Sequence, residues 1–205
     1  STGIMATHTS GEITLFKKAL LPHDLFDMKG CATIFSRQNK VLIGHNRWAT
    51  KGKINATNAH PFEFDTLVGA HNGTLVNQRL LPDHLDFEVD SENIFHSFEK
   101  IGIEDTVKAL NGAFALTWYD KKRESLNMIR NKERPLFVTF TKDENVIFWA
   151  SESWMLSGVL AKNGLEHGEI FDTTVNTHYE FAIPNRTYGK PDTYKLPKPV
   201  KCKMT

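Results

Sequence analysis

Short, mainly apolar runs along the chain are rich in β-branched and aromatic residues and are bounded by turn residues. This pattern predicts strands over 13–16, 41–45, 67–70 and 113–119, and further strands over 125–129, 136–141, 145–150 and 179–183. Helical periodicity is scarcer. It appears over 91–100, where Ile94, Phe95 and Phe98 share one face behind a capping residue, and over 105–110 and 152–162. Strands, then helices, then a long run of consecutive strands predict antiparallel sheets with segregated helices, an α+β arrangement rather than repeated βαβ units. Pro191, Pro197 and Pro199 stand among lysines near the end of the chain, so 187–205 reads as an extended tail or linker beyond a single domain over 1–186.

Composition narrows the possible functions. The 205 residues are 40% hydrophobic, enough for one sizeable core. A net charge of +1 with interspersed signs gives no basic field, which argues against a nucleic-acid partner. Cys31 and Cys202 are too few for a disulfide framework and lack zinc-finger spacing, so a reducing, cytoplasmic setting is expected. No apolar run has the length of a membrane span, and Ser1-Thr2-Gly3 is not a signal peptide. The nine histidines show no close pairing of the metal-binding kind, and no metal is expected.

The candidate chemistry lies between positions 45 and 92. Arg47 ends an apolar strand and can offer its planar fork to a carboxylate, or pair with a surface Glu. Trp48 reads as core rather than ligand-facing, while Thr50 can donate a hydroxyl to a ligand or bond its own turn. His60 precedes Pro61 and reads first as a hydrogen-bonded structural residue. Asn72-Gly73 reads first as a hairpin turn; the sharper reading is an oxyanion hole of the Asn72 amide and the Gly73 N–H, and both can hold. Asp90 reads as a helix N-cap, or as the carboxylate for an ammonium group. Cys31 reads as a small buried apolar residue.

Taken in order, His45-Asn46-Arg47-Trp48-Ala49-Thr50-Lys51-Gly52, Asn58-Ala59-His60-Pro61, His71-Asn72-Gly73 and Asp90-Ser91-Glu92 resemble the class II glutamine amidotransferases, a group of N-terminal-nucleophile hydrolases. Weaker echoes follow at Gly112-Ala113-Phe114-Ala115, Arg134-Pro135-Leu136 and Ala150-Ser151-Glu152. The resemblance implies a four-layer αββα sandwich, hydrolysis of L-glutamine to glutamate and ammonia, and no metal or organic cofactor. It implies that Arg47, helped by Thr50 and the neighbouring backbone including Trp48, holds the glutamine carboxylate. Asp90 binds the ammonium, Asn72 and Gly73 form the oxyanion hole, and His60 organises loops near the site. Lys51 stands where some members have His. Ammonia passes in this family to a synthase, transferase or isomerase; here either a separate protein accepts it or the domain acts alone.

The family nucleophile is a Cys at the mature N-terminus whose own α-amino group is the base. Positions 1–6 instead resemble an internal strand of the family, so the expectation is that an N-terminal segment carrying the Cys was cut off, is a separate chain or was left out. Two alternatives stay open: Ser1 as a processed N-terminal nucleophile, and an inactive glutaminase-fold module with a structural or binding role. Cys31 has no free α-amine and lies too near Arg47 to match.

Overall fold

The computed structural model describes residues 1–183 and, as backbone, the strand Asp192–Lys195. The chain begins with the hairpin β1 (Thr2–His8) and β2 (Ile13–Lys18), two short helices α1 (Pro22–Phe26) and α2 (Lys29–Phe35), and β3 (Asn39–Asn46). After a long loop come β4 (Phe62–Glu63), β5 (Leu67–Leu75), α3 (Asp90–Ile101) and α4 (Ile103–Ala109). The strands β6 (Gly112–Asp120), β7 (Ser125–Arg130), β8 (Phe137–Phe140) and β9 (Ile147–Ala150) follow, then α5 (Ser153–Lys162), β10 (Phe171–Asp172), β11 (Thr177–Ala182) and β12 (Asp192–Lys195).

Every pairing between these strands is antiparallel. They form a six-stranded sheet in the order β12-β11-β7-β6-β5-β4 and two three-stranded sheets, β2-β1-β3 and β10-β8-β9. Strand alternation decides the layers. Odd positions of β1 and β3, such as Met5, Val41 and Ile43, meet Val68, Ala70, Leu126, Met128 and Phe181 of the six-stranded sheet. Val138 and Ile147 of the third sheet enter the same cluster, so the two small sheets share one layer opposite the large one. Even positions Ile4 and Ala6 face Leu25, Cys31 and Ile34 of α1 and α2. On the other side, Ile94, Phe95, Phe98 and Val107 of α3 and α4 pack on Leu67, Leu116 and Trp118. Helices outside two facing sheets make the four-layer αββα sandwich.

The helix α3 is fixed on β5 by close packing. A Cβ at Gly69 would lie 2.3 Å from the Phe95 ring, so glycine there lets the aromatic reach the sheet. Phe95 meets Phe98 edge-on at 5.7 Å, and Phe98 meets Trp118 at 5.1 Å. Such pairs contribute about 0.5–1.5 kcal/mol beyond their buried area. This packing sets where the first turn of α3 falls relative to the end of β5.

The sequence places most elements within a few residues. The strand expected over 67–70 runs on to Leu75, and Cys31 is buried in a helix. Of the expected tail 187–205, Asp192–Lys195 pairs with β11 as an edge strand and the rest lies outside the described residues.

Candidate active site

At one end of the sandwich, three inner-face rows change from apolar to polar together. In β3 the row runs Val41, Ile43, His45 and on to Arg47; in β5 it runs Val68, Ala70, Asn72, Thr74; in β1 it runs Met5, Gly3, Ser1. The core gives way there to groups that can bind a polar ligand.

The free edge of β5 shows what such a ligand meets. Both backbone groups of Phe114 of β6 bond Asn131, the N–H donating to the side-chain Oδ1 at 3.2 Å and the C=O accepting the Asn131 N–H at 2.9 Å. Phe114 therefore faces away from its partner Gly73, and the odd positions of β5 turn their backbone groups outward. Three outward N–H groups follow in a row. That of His71 donates to His60 Nδ1 at 3.4 Å, and that of Leu75 donates to Asp90 Oδ2 at 2.7 Å. Between them, the Gly73 N–H is taken by no side chain among the described residues. The Asn72 side-chain amide, half-buried beside it, has no hydrogen-bond partner among them either. Gly73 adopts φ +153°, and a Cβ there would lie 1.9 Å from the Ala113 carbonyl oxygen. Only glycine fits.

This corrects the hairpin reading of Asn72-Gly73. Asn72 pairs with Ala115 and Gly73 with Phe114 inside a nine-residue strand, so the ladder to β6 overrides the local turn preference. The capping reading of Asp90 is corrected as well. Asp90 is the first residue of α3, its side chain caps nothing in the helix, and its buried carboxylate receives the Leu75 N–H instead.

Arg47 follows β3 and is buried. Its Nη1 donates to the Lys53 carbonyl at 3.2 Å and its Nη2 to the Lys51 carbonyl, which fastens the loop after β3 around the guanidinium. A guanidinium has five N–H donors, so three remain for a ligand. Arg47 forms no ion pair among the described residues, contrary to the surface-Glu alternative. Burial disfavours its charge, whereas the nearby carboxylates of Asp90 and Glu88 favour it. Glu88 accepts the Lys53 N–H at 2.8 Å and the Asn58 amide at 3.0 Å, bracing the same loop.

The loop crosses onto β5. The hydroxyls of Thr50 and Thr74 lie 3.0 Å apart, and Lys51 Nζ donates to the Leu75 carbonyl at 2.6 Å. Thr50 thus bonds across to β5, not within its own turn. Trp48 does not belong to the core, as the sequence suggested: it is 91% exposed. A residue between a strand end and a loop pinned on both sides has its direction set by those tertiary contacts, not by its hydrophobicity.

His60 sits beneath these groups, stacked on His45 with ring centroids 4.1 Å apart and 5.0 Å from Phe62. His71 is also buried, its Nδ1 2.9 Å from Ser91 Oγ. Burial pushes His45 down to about 4, with His71, Arg47 and the chain's α-amino group adding to the effect. Burial likewise holds His60 well below the ordinary imidazole value and lowers His71, opposed there by Asp90. The three imidazoles are neutral at pH 7, and the positive charge that acts on them comes from Arg47, Lys51, Lys17, Arg134 and the chain's α-amino group. Among the described residues no group of three or more His, Cys, Asp or Glu is placed to hold a metal ion. Thr74, Lys51, Glu88 and Asn58 were not singled out for these contacts by the sequence; Thr74 alone had a signal, two positions beyond Asn72 on the same face.

The arrangement thus joins a guanidinium, a carboxylate, a backbone N–H and a side-chain amide at one end of two facing sheets. Arg47 and Asp90 suit the two ends of an amino acid, and Asn72 with Gly73 suits an oxyanion. Residues 23–187 match the sequence profile of a family described as glutamine amidotransferase domain. The chain is 31% identical over 149 residues to the isomerizing glutamine–fructose-6-phosphate aminotransferase of Campylobacter jejuni, covering 65% of this chain and 25% of that protein. The counterpart from Gluconobacter oxydans is 32% identical over 166 residues, covering 73% and 27%. The chain therefore spans about a quarter of the length of these curated relatives. Among solved structures, a glutamine phosphoribosylpyrophosphate amidotransferase from B. subtilis superposes with a TM-score of 0.71 at 21% identity, over 95% of this chain and 42% of that one. A class-II glutamine aminotransferase domain protein from Silicibacter pomeroyi gives 0.60 at 10% identity, over 97% and 92%. Both likenesses concern the fold. No helix of the described residues is long and apolar enough to cross a membrane.

Proposed function

Because the chain belongs to the glutamine amidotransferase domain family, class II with the N-terminal-nucleophile hydrolase fold, we propose that it hydrolyses L-glutamine to glutamate and ammonia. The observation that carries this reading is the outward Gly73 N–H, left open between two occupied neighbours and beside the Asn72 amide. Arg47 receives the glutamine α-carboxylate, with Thr50 and the backbone around Trp48 completing that side. Asp90 receives the α-ammonium through the oxygen not committed to Leu75. The side-chain amide then lies over Asn72 and Gly73.

In the reaction a cysteine thiol gives its proton to the α-amino group of the same residue as its sulfur adds to the side-chain carbonyl carbon. The former carbonyl oxygen carries the negative charge and accepts from the Gly73 N–H and the Asn72 amide. One such donor is worth on the order of 3–4 kcal/mol in the transition state. The intermediate collapses as that proton passes to the departing nitrogen, releasing ammonia and leaving a thioester. Water hydrolyses the thioester to glutamate and the free thiol.

The cysteine we assign to a segment outside these 205 residues. Cys31 of α2 is buried against Ile4, Ala6 and Leu25, on the face of β1 opposite the site, where desolvation raises its thiol. Cys202 lies outside the described residues. We assign the domain to residues 1–186, with 187–205 as an extension of it. The ammonia passes to a synthase or transferase partner outside this chain. His60 holds the site's floor and transfers no proton.

The test is glutamate release from glutamine by the full-length polypeptide, with Arg47→Ala as control. Turnover that Arg47→Ala reduces at least tenfold supports the proposal. No turnover together with no glutamine binding refutes it and leaves an inactive glutaminase-fold module. A second reading rests on Ser1, whose buried Oγ has no hydrogen-bond partner among the described residues. Under it, Ser1 is the nucleophile, and Ser1→Ala abolishes turnover while alkylation of thiols does not.

A further inference from the structure

His71 is buried beside the site, yet no step of the reaction above uses it. Odd positions of β5 face α3, as Leu67 and Leu75 do in the cluster with Ile94 and Phe95. At the polar end of the strand the same alternation puts the His71 ring beneath Gly73 and against the first turn of the helix. A Cβ at Gly73 would lie 2.6 Å from His71 Nε2, so the glycine that offers its N–H also leaves room for the imidazole under it. His71, Ser91 and Asp90 are all buried, and the hydrogens between them are shared within the group.

Three contacts fix where each hydrogen lies. His71 Nε2 is 3.3 Å from the Ala113 carbonyl oxygen, which can only accept, so in the neutral ring Nε2 carries the hydrogen and Nδ1 is bare. Nδ1 is 2.9 Å from Ser91 Oγ. Ser91 Oγ is in turn 3.4 Å from Asp90 Oδ1, the oxygen not committed to Leu75. A hydroxyl has one hydrogen and cannot give it to both neighbours. The shorter contact, to a bare nitrogen, takes it. Asp90 Oδ1 is then left as an acceptor that no side chain among the described residues fills. Protonation of His71 reverses the order. With Nε2 still on Ala113, the proton taken from solvent is held at Nδ1 and donates to Ser91 Oγ, whose own hydrogen can then turn only onto Asp90 Oδ1.

We propose that Ser91 is a positioning residue for the Asp90 carboxylate: against neutral His71 it keeps Oδ1 open for the α-ammonium of the ligand, and against protonated His71 it occupies that oxygen. The ammonium contact rests on the glutaminase reading; the direction of the Ser91 hydroxyl rests on the three distances alone. The groups facing the ring come from several elements. Burial disfavours the imidazolium most, Asp90 of α3 and the Ala113 carbonyl of β6 favour it, and Arg134 after β7 and Lys51 after β3 disfavour it. His45 of β3 and His60 before β4 lie close enough to feel its charge and are themselves neutral at pH 7. The open form is therefore the one present at pH 7.

NMR of the imidazole nitrogens in the full-length polypeptide reads the hydrogen directly. At pH 7 His71 is expected as the Nε2–H tautomer with a bare Nδ1; the Nδ1–H tautomer overturns the proposal. L-Glutamate carries the same α-carboxylate and α-ammonium as glutamine and is not turned over. If the protonated ring weakens its binding by about fivefold or more, reciprocity requires saturating glutamate to lower the His71 titration midpoint by at least about 0.7 pH. An unmoved midpoint overturns the proposal. Ser91→Ala removes the hydrogen that turns onto Oδ1 and is expected to cut that displacement to less than about half, while Ser91→Thr keeps it. An undiminished displacement in Ser91→Ala means that charge alone couples ring and ligand, and also overturns the proposal. Should Ser91→Ala fail to fold, the tautomer and the midpoint of the parent still decide. A folded polypeptide that binds no glutamate refutes the glutaminase reading and the ligand's place at Oδ1, while the tautomer still settles the Ser91 hydrogen. Glutamate binding with the Nδ1–H tautomer leaves the glutaminase reading standing and removes the role of Ser91.

Discussion

Replacement of Asp90 separates structural support from ligand recognition. Oδ2 of this buried carboxylate accepts the Leu75 N–H at 2.7 Å, and its charge acts on the buried Arg47 guanidinium. Asp90→Asn keeps an acceptor for the N–H but removes the charge, exchanging a charge-assisted bond for a neutral one at a cost of about 1 kcal/mol. Asp90→Ala leaves the buried Leu75 N–H without a partner, for a total of about 2–4 kcal/mol. Ligand binding orders the variants differently. If Asp90 meets the α-ammonium of glutamine, both substitutions lose a charge-assisted contact of about 1.5–3 kcal/mol, a 10- to 150-fold weaker Kd. Urea unfolding reads the first quantity, and glutamine titration of the folded full-length protein reads the second. Asp90→Asn is expected to be nearly as stable as the parent and to bind glutamine as poorly as Asp90→Ala. If Asp90→Asn binds glutamine with parental affinity, Asp90 serves only the strand end and the assigned ammonium contact is wrong.

Further expectations follow from the same geometry. Gly73→Ala forces a Cβ to within 1.9 Å of a backbone oxygen and should lower stability by at least about 3 kcal/mol or displace β5 from β6, seen as a loss of denaturation midpoint; a parental midpoint would contradict the geometry at this position. Acid should weaken the fold before most carboxylates titrate. His45 in the unfolded chain takes up a proton below about 6.5 that the folded chain refuses until about 4, so its contribution is complete above that window, falls as pH drops through it and amounts to about 3 kcal/mol. His60 and His71 act with the same sign, and a urea midpoint unchanged between about pH 7 and 5 would sink this reasoning. Cys31→Ser puts a hydroxyl into an apolar cluster at a cost of about 1–3 kcal/mol, yet glutamate release by the folded full-length protein should persist; its abolition would reinstate Cys31 as nucleophile. Trp48→Ala should change stability by less than about 0.5 kcal/mol in thermal or urea unfolding, since the side chain is almost wholly in solvent; a larger loss would mean that it packs after all.

Much of the fold was legible because its signals are local. The apolar, β-branched and aromatic runs over 41–45 and 113–119 mark strands from neighbours within a few residues, and the face of Ile94, Phe95 and Phe98 marks a helix in the same way. The ordered motifs around Arg47, His60, Asn72 and Asp90 identified the family, and the structure gathers those residues at one end of the sandwich. Local reading failed where a distant partner decided. Asn72-Gly73 carries a turn dipeptide, but pairing with Ala115 and Phe114, more than forty positions on, keeps it extended. Asp90 stands where a cap is expected, but the orphan donor within its reach is Leu75 on another element.

The sequence by itself therefore determined most of the elements, the α+β class and the family, since hydrophobic period and motif order need no knowledge of what packs on what; the short helices α1 and α2 and the two-residue strands β4 and β10 escaped it. Only the tertiary structure decided that the Gly73 N–H is taken by no side chain among the described residues, that Trp48 faces water and that β3 and β9 line a common groove. Each depends on pairing and contacts between segments far apart along the chain.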